Sequence, residues 1–336
     1  MLQLPDIHQQ WPFPVTFNRW EATISAESTA WIESIGILSV ERLKKFKGAN
    51  FGGLASIAYA PFTDADQYRI TCDMVNLLFV FDDLTDELSA QDVRDIAKIS
   101  LDALSDWKTP RPHGEHPVGE MHRSLSERLH SVTNPQILDK FIANYDKYLK
   151  AVISEAEDRD AKTIRSSLES YLALRRETGA VTCCFNLLLI PLEIPDHILR
   201  DPRIVYLETL GLDMVCVGND ILSFNVEHAR GDTHNAVIVV MHERGLCIQD
   251  AMDFVGAWYR EKVEQFCNAM RDLPPCRSVA VRNAVRTYVA GVANWVTANY
   301  EWSLRSGRYF PAGHDPIGMD WIVPLIPRMK HELHQE

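Results

Sequence analysis

Apolar residues recur at helical spacing along most of this 336-residue chain, and no stretch alternates apolar and polar residues for more than a few positions. A repeat of about 3.6 residues places apolar side chains on one helix face, whereas strands need a repeat of two. The pattern therefore predicts an all-α fold, with about ten or more helices in a single domain. Proline-rich ends predict an extended arm at residues 1–20 and an irregular tail at 311–336.

Glycine, proline and charged residues mark the predicted helix boundaries. Asp64 follows a proline break and is placed as the N-cap of a helix that begins near Ala65. A helix is predicted at 25–47 and a loop at 50–53. The other predicted helices span residues 65–87, 89–106, 121–130, 135–158, 161–189, 201–227, 236–244, 247–272 and 277–305.

The composition excludes several classes of protein. A net charge of -12 argues against a nucleic-acid partner, because phosphate backbones are bound by basic patches. Seven cysteines without a CxxC pair are typical of reduced thiols. The longest apolar run, residues 180–192, is too short to span a bilayer, and the first twenty residues contain no apolar leader. We expect a soluble, cytoplasmic protein with no membrane span.

The stretch MVNLLFVFDDLTDE, residues 74–87, carries the first chemical signal. At about 100° per residue, Asp82 and Asp86 share a helix face above Phe79, while Asp83 points about a quarter turn away. Two carboxylates on one face suit Mg²⁺, whose few protein ligands are completed by water and substrate phosphate. Taken alone, the motif is more typical of a solvated acidic helix end than of a metal site.

A second polar set occurs in NDILSFNVE, where Asn219, Ser223 and Glu227 are spaced four residues apart. Steps of about 40° keep the three side chains in one helical stripe. An amide oxygen, a hydroxyl and a carboxylate form a hard, oxygen-only ligand set that fits Mg²⁺ better than zinc. A polar face turned to water is the alternative, but two such motifs on apolar helices together favour a metal site.

Together, DDLTD and NDxxSxxxE resemble the paired metal motifs of class I terpene synthases. The wording FNVEHARGDTHN and the C-terminal RY pair are similar to those of basidiomycete sesquiterpene synthases, and the likeness covers most of the chain. The resemblance implies an α-helical bundle around a central apolar cavity that binds three Mg²⁺ ions with farnesyl diphosphate. It implies Asp82 as the main bridging ligand, auxiliary roles for Asp83 and Asp86, and another Mg²⁺ ion at Asn219, Ser223 and Glu227.

The stretch LRRETGA resembles the RRxTxG pattern of the same family and implies Arg176 as the diphosphate sensor. Gly179 and Ala180 would form the helix break beside the substrate. Alanine stands where the family usually has glycine, which leaves open an exchange of roles between Arg175 and Arg176. A surface ion pair with Glu177 is the structural alternative to a diphosphate contact.

The C-terminal pair implies that Arg308 reaches the diphosphate and that Tyr309 locks the closed state; a basic helix end beside a packed aromatic is the alternative. Val226 stands where many bacterial relatives have a lysine, so that phosphate contact is either missing here or supplied by Arg230. Phe79 and Trp302 are the expected cavity residues, because aromatic faces stabilise cations. Ordinary core packing explains both equally well.

The leading hypothesis is therefore a Mg²⁺-dependent sesquiterpene synthase. It would ionise farnesyl diphosphate and cyclise the resulting carbocation to a hydrocarbon or an alcohol. A chain-elongating prenyltransferase is the second hypothesis, although that class uses two aspartate-rich motifs. A non-catalytic helical scaffold is the third. A homodimer is possible on this reading.

Overall fold

Fourteen α-helices make up most of residues 1–310 and 316–328, which are the residues that the computed structural model describes. The all-α prediction is confirmed. The strands β1 (Leu2–Gln3) and β2 (Ile322–Val323) pair in an antiparallel ladder. The helices are α1 (Glu21–Ile35), α2 (Val40–Ala49), α3 (Phe51–Ala58), α4 (Ala65–Thr85), α5 (Ala90–Ser105), α6 (Val118–Val132), α7 (Pro135–Asp160), α8 (Leu168–Thr178), α9 (Val181–Leu187), α10 (Asp196–Leu199), α11 (Pro202–Arg230), α12 (Ala236–Arg244), α13 (Ile248–Ala269) and α14 (Val279–Arg305).

The two motif-bearing helices, α4 and α11, each begin at an aspartate N-cap, of which the sequence predicts the one at Asp64. The Asp64 carboxylate accepts a hydrogen bond from the Gln67 backbone N–H at 2.9 Å, as an N-cap should. Asp201 caps α11 and Pro202 occupies its first turn, where a missing N–H costs nothing. The helix ends at Gly231, whose φ of 90° is a left-handed conformation that glycine adopts readily.

Close packing of α11 against α14 places the second motif in the centre of the bundle. A Cβ on Gly211 would lie 2.3 Å from Cγ1 of Val292, so glycine is what lets the two helices approach at this point. Further along, the Asn299 amide of α14 donates to the Val215 carbonyl of α11 at 3.2 Å. Buried residues lie all around α11 between Leu210 and Asn225, consistent with a helix enclosed by its neighbours.

The prediction of one helix at 25–47 is wrong. Gly36, with φ of 71°, ends α1, and α2 begins after the Ser39 cap. The predicted loop at 50–53 is also wrong, because Gly52 and Gly53 lie in the first turn of α3. A Cβ on Gly52 would lie 2.4 Å from Cβ of Ser25. That glycine permits close contact between α3 and α1 rather than a loop.

The predicted helix at 161–189 is divided in the structure. Ser167 caps a new helix, α8, through a capping box with Ser170. A second break at Gly179 and Ala180 separates α8 from α9. Short helix α10 was not predicted, whereas α12 spans the predicted residues. The predicted tail at 311–336 is described at 316–328, where it forms turns and β2, and its other residues lie outside the described part.

None of the helices in residues 1–310 and 316–328 is both long and apolar enough to cross a membrane.

The N-terminal arm lies against the bundle. Its Leu2, Leu4 and Ile7 side chains are buried, and the Trp11 indole N–H donates to the Thr297 hydroxyl at 2.8 Å.

Candidate active site

Arg308 and Tyr309 join the two motifs, which lie 137 positions apart in sequence (219 minus 82). Arg308 Nη2 donates to Asp83 Oδ1 at 2.9 Å, and the Asn219 amide donates to the Tyr309 hydroxyl at 2.9 Å. Because the two residues are adjacent, the end of α4 and the middle of α11 must lie on either side of them. The predicted site residues of both motifs and of the RY pair are therefore brought together.

Asp82 lies in the last turn of α4, and Asp86 is the C-cap of that helix. Both residues are exposed to solvent, but many protein atoms surround their carboxyl groups, which is the environment of a recess. Burial raises the pKa of Asp82, and the Arg308 guanidinium opposes that rise. Burial and then the Asp82 charge raise the pKa of Asp86 to about 8. Arg159 Nη1 lies 4.0 Å from Asp86 Oδ1.

The second motif presents its oxygen atoms along one face of α11. Asn219 Oδ1 accepts from Arg175 Nη2 at 2.9 Å, and Glu227 Oε2 accepts from the Asn235 amide at 2.9 Å. Ser223 is fully buried, and its Oγ has no hydrogen-bond partner among the described residues. Burial, followed by the Asp220 charge, raises the pKa of Glu227 to about 7.

The adjacent arginines of α8 point to different partners. The Arg175 side chain is 16% exposed, and its guanidinium donates to both Asn219 and Asp220. Arg176 is more exposed and forms a bidentate pair with Asp213, with N···O distances of 2.7 and 2.9 Å. Of the two roles left open by the sequence, this geometry places Arg175 beside the second motif and Arg176 away from it.

The break between α8 and α9 lies beside Arg175. Ala180 has a φ of 53°, a left-handed conformation that is costly for a residue with a Cβ. Gly179 has an ordinary helical φ, but a Cβ there would lie 2.7 Å from Cys216 Sγ on α11. The glycine is therefore needed for close approach, and the alanine carries the strained turn.

Aromatic rings pack beside the acidic end of α4. Phe79 stacks on Phe51 with ring centroids 4.0 Å apart, and Trp302 lies 5.1 Å from Phe79. Tyr309 meets Trp302 edge-on at 5.8 Å, and the Arg308 guanidinium lies 5.4 Å from the Phe79 ring. Phe51 also lines a pocket of about 340 Å³ formed with α1 and α2, which contains none of the motif residues. The central cavity itself stays a prediction.

Several polar residues of the site were not predicted. Asp220 accepts from the Tyr171 hydroxyl at 2.6 Å and from the first backbone N–H of α12 at 3.1 Å, so it holds three helices together. Asn235 bridges Asp220 and Glu227. Burial, and then Asp86, raise the pKa of Glu155 on α7 to about 8. Asp220 and Asn235 lie within the stretch NDILSFNVEHARGDTHN, whose resemblance to the family could have identified them. No local sequence pattern indicates Glu155.

The residues present fit a divalent cation that binds together with phosphate. In the described parts of the chain, no three His, Cys, Asp or Glu side chains converge on a metal position. Mg²⁺ does not need such a cluster, because it takes one or two carboxylates plus substrate oxygens. The unpartnered Ser223 Oγ and the raised pKa values of Asp82, Asp86 and Glu227 indicate uncompensated oxygen ligands, which a cation would satisfy.

The sequence and the site together define the class of protein. Residues 73–265 match the family described as terpene synthase family 2, C-terminal metal binding. The chain belongs to the terpene synthase family, and the metal-binding region of that family contains both motifs, so a divalent metal is part of its chemistry.

Within that family the chain groups with fungal sesquiterpene synthases. It is 37% identical to a Delta(6)-protoilludene synthase of Stereum hirsutum, over 98% of this chain and 89% of the relative. A Delta(6)-protoilludene synthase of Armillaria gallica is 34% identical over 98% and 95%. Sesquiterpene synthase 9 of Postia placenta is 34% identical over 97% and 94%.

Solved structures confirm the fold. A point mutant of the SVS_A2 protein from ancestral sequence reconstruction superposes with a TM-score of 0.80 at 19% identity, covering 93% of this chain and 90% of that one. Hedycaryol synthase in complex with HEPES superposes with a TM-score of 0.77 at 21% identity, covering 90% and 98%. The class I terpene synthase bundle expected from the motifs is therefore the fold of this chain.

Proposed function

We propose that this protein is a Mg²⁺-dependent sesquiterpene synthase that ionises farnesyl diphosphate and cyclises the carbocation. The observation that supports the proposal is that Arg308 and Tyr309 hold the acidic end of α4, which carries Asp82, next to Asn219 of the second motif and beside an aromatic cluster. The proposed recess lies between these groups. Packing of an apolar core does not require an acidic motif, a polar oxygen stripe and an arginine to lie close together. Binding of a metal–diphosphate group between them would explain all three.

Arginines of this chain bind and orient the diphosphate. Arg308 already lies over the acidic end of α4, and Arg175 lies against Asn219, so both can donate to phosphate oxygens. The Arg230 charge opposes the rise in the pKa of both Asp82 and Asp86, which supports a role for it close to these carboxyls. We assign Arg175 and Arg308 as the main diphosphate contacts and Arg230 as an auxiliary one, with Arg176 as a structural partner of Asp213.

The metal ligands are proposed as Asp82, with Asp86 auxiliary, and Asn219, Ser223 and Glu227. Three Mg²⁺ ions, when bound, would stabilise the negative charge of the departing diphosphate. The Asn235 amide holds Glu227, and Asp220 orients Arg175, so both act by positioning. Tyr309, hydrogen-bonded to Asn219, closes the recess and helps to exclude water that would quench the cation.

The hydrocarbon end of the substrate would lie against the aromatic cluster. Phe79 and Trp302 are the side chains proposed to face the allylic cation, whose charge the ring faces stabilise. Phe51, which stacks on Phe79, is added to that wall. Gly179 and Ala180 at the break between α8 and α9 would shape the wall beside Arg175.

The test is product analysis by gas chromatography and mass spectrometry, with Mg²⁺ and geranyl, farnesyl or geranylgeranyl diphosphate. We expect cyclic C15 products from farnesyl diphosphate, and Delta(6)-protoilludene is the first standard because of the relatives' names. A parallel incubation with isopentenyl diphosphate and an allylic primer tests chain elongation. Longer prenyl diphosphates would favour the prenyltransferase, and no Mg²⁺-dependent diphosphate release from any substrate would favour a non-catalytic scaffold.

A further inference from the structure

Asn225 lies between Ser223 and Glu227 on α11, but its side chain contacts the C-terminal segment of the chain. Its Nδ2 donates to the Pro324 carbonyl at 2.8 Å, and its Oδ1 accepts from the Ile326 backbone N–H at 2.9 Å. The residue is 6% exposed. Both ends of this buried amide are therefore used to hold one short backbone segment, as a neighbouring strand would.

The tail and the recess lie on opposite faces of the same two helical turns. At about 100° per residue, Asn225 is two residues and therefore roughly 160° around the helix from both Ser223 and Glu227. His228, about 60° from Asn225, also faces the tail: its Nε2 lies 3.4 Å from Arg328 Nη2. The segment 324–328 thus covers the back of the turn whose front carries two of the proposed metal ligands.

This segment is held in place by the N-terminus. We define the terminal strap as residues 2–4 and 320–326, which β1 and β2 pair together. The ladder continues where Leu4 N–H donates to the Trp321 carbonyl at 2.8 Å. Gln3 anchors the strap to α13, because its backbone N–H and carbonyl both bond the Gln249 side chain at 2.9 Å.

The strap also contains two strained residues in succession. Asp320 and Trp321 have φ values of 49° and 62°, although neither is glycine. Such conformations are unfavourable for residues with a Cβ and persist when surrounding contacts determine them. The ladder and the Asn225 amide are contacts of that kind, and both hold the chain directly after this turn. The strap is therefore a defined structure and not loosely packed chain.

We propose that Asn225 is a positioning residue that ties the metal-binding turn of α11 to the terminal strap, so that Ser223 and Glu227 are held ready for a metal–diphosphate group. The proposal rests on the proposed function, because that function supplies the ligand. Without the amide, the turn can shift or rotate relative to Arg308 and Asp82, and ligand binding must then order it.

The experiment measures binding by the full-length protein rather than turnover. Inorganic diphosphate is titrated calorimetrically in the presence of MgCl₂ into the wild type and Asn225→Ala. A matched pair of variants changes the strap and leaves α11 unaltered. Ile326→Pro removes the backbone N–H that donates to Asn225 Oδ1, and Ile326→Ala retains it. The double variant Asn225→Ala/Ile326→Pro tests whether both changes act through one contact.

We expect Asn225→Ala to weaken diphosphate binding about 5- to 10-fold, as loss of a coupling contact does. Ile326→Pro should weaken it about 2- to 3-fold, with Ile326→Ala close to wild type and the double variant no weaker than Asn225→Ala. Unchanged affinity in both Asn225→Ala and Ile326→Pro, with only a lower Tm, would mean a structural role and overturn the proposal. If Asn225→Ala does not fold, the two Ile326 variants decide the matter. A wild type that binds no diphosphate would overturn the proposed function and this role with it.

Discussion

Nη2 of Arg175 on α8 lies 2.9 Å from Oδ1 of Asn219 on α11. The next residue, Arg176, pairs instead with Asp213, which precedes Asn219 by six positions on α11. Arg175 also contacts Asp220, which is seven residues from Asp213 and therefore on the same face of α11, so the two guanidinium groups lie about two turns apart along that helix. One arginine is directed to the proposed metal stripe, and the other is not.

Replacement of each arginine by lysine separates these roles. Lysine keeps the charge but loses the planar fork that holds two oxygen partners. We expect Arg175→Lys to lower kcat/KM for farnesyl diphosphate by about 100-fold and Arg176→Lys by less than about 3-fold. Steady-state kinetics with both purified variants checks this. A larger loss in Arg176→Lys would restore Arg176 as the diphosphate sensor.

The break between α8 and α9 gives a second matched pair. Ala180→Gly should raise the free energy of unfolding by up to about 1 kcal/mol, because glycine adopts the left-handed φ without a Cβ penalty. Gly179→Ala should lower it by about 1–3 kcal/mol, since the new methyl would meet Cys216. Denaturant unfolding followed by circular dichroism measures both, and a neutral Gly179→Ala would show that α8 and α11 can separate at no cost.

Because His122 is buried, we expect the folded protein to lose stability in acid. Its Nδ1 contacts the Val118 carbonyl at 2.8 Å and its Nε2 contacts the Tyr145 hydroxyl at 2.6 Å, an arrangement that suits a neutral ring. Burial lowers its pKa from 6.5 to about 4. The folded protein therefore binds fewer protons than the unfolded chain between these values. The stabilisation is complete above pH 6.5 and is lost as the pH falls towards 4, by roughly 3 kcal/mol.

The check is the difference between the Tm at about pH 7.5 and the Tm at about pH 5, in the wild type and in His122→Asn. Comparison with the variant is needed because Asp86 and Glu155, whose pKa values are raised, change stability in the opposite direction over this range. We expect a smaller difference in the variant. Equal differences would show that His122 does not titrate on unfolding.

The two motif helices could be predicted because their signals are local. Apolar periodicity, the Asp64 cap and the four-residue spacing of Asn219, Ser223 and Glu227 are properties of single helices. Helix α3 was missed for the opposite reason. Glycines usually indicate a loop, but Gly52 is required at the start of α3 by contact with Ser25 of α1, which is a distant element in the sequence.

The same distinction separates the site residues that could be predicted from those that could not. Arg175 and Arg176 are adjacent, so no local pattern decides which one faces Asn219; helix rotation against α11 decides it. Glu155 lies near the C-terminal end of the amphipathic helix α7, and only the folded bundle places its charge near Asp86. The pairing of β1 with β2 joins the two ends of the described chain and has no cue in either short segment.

The central claim is that Asp82 and Glu227, from separate motifs, hold metal for one reaction. Its most direct test is the amount of C15 product formed from farnesyl diphosphate and Mg²⁺ by the wild type, Asp82→Asn and Glu227→Gln. Glu264→Gln, an exposed site outside the recess, is the charge-matched control. We expect each motif variant to lose about 1,000-fold or more of the product with its helical circular dichroism intact, and the control to match the wild type. Wild-type product yield from either motif variant would contradict the claim.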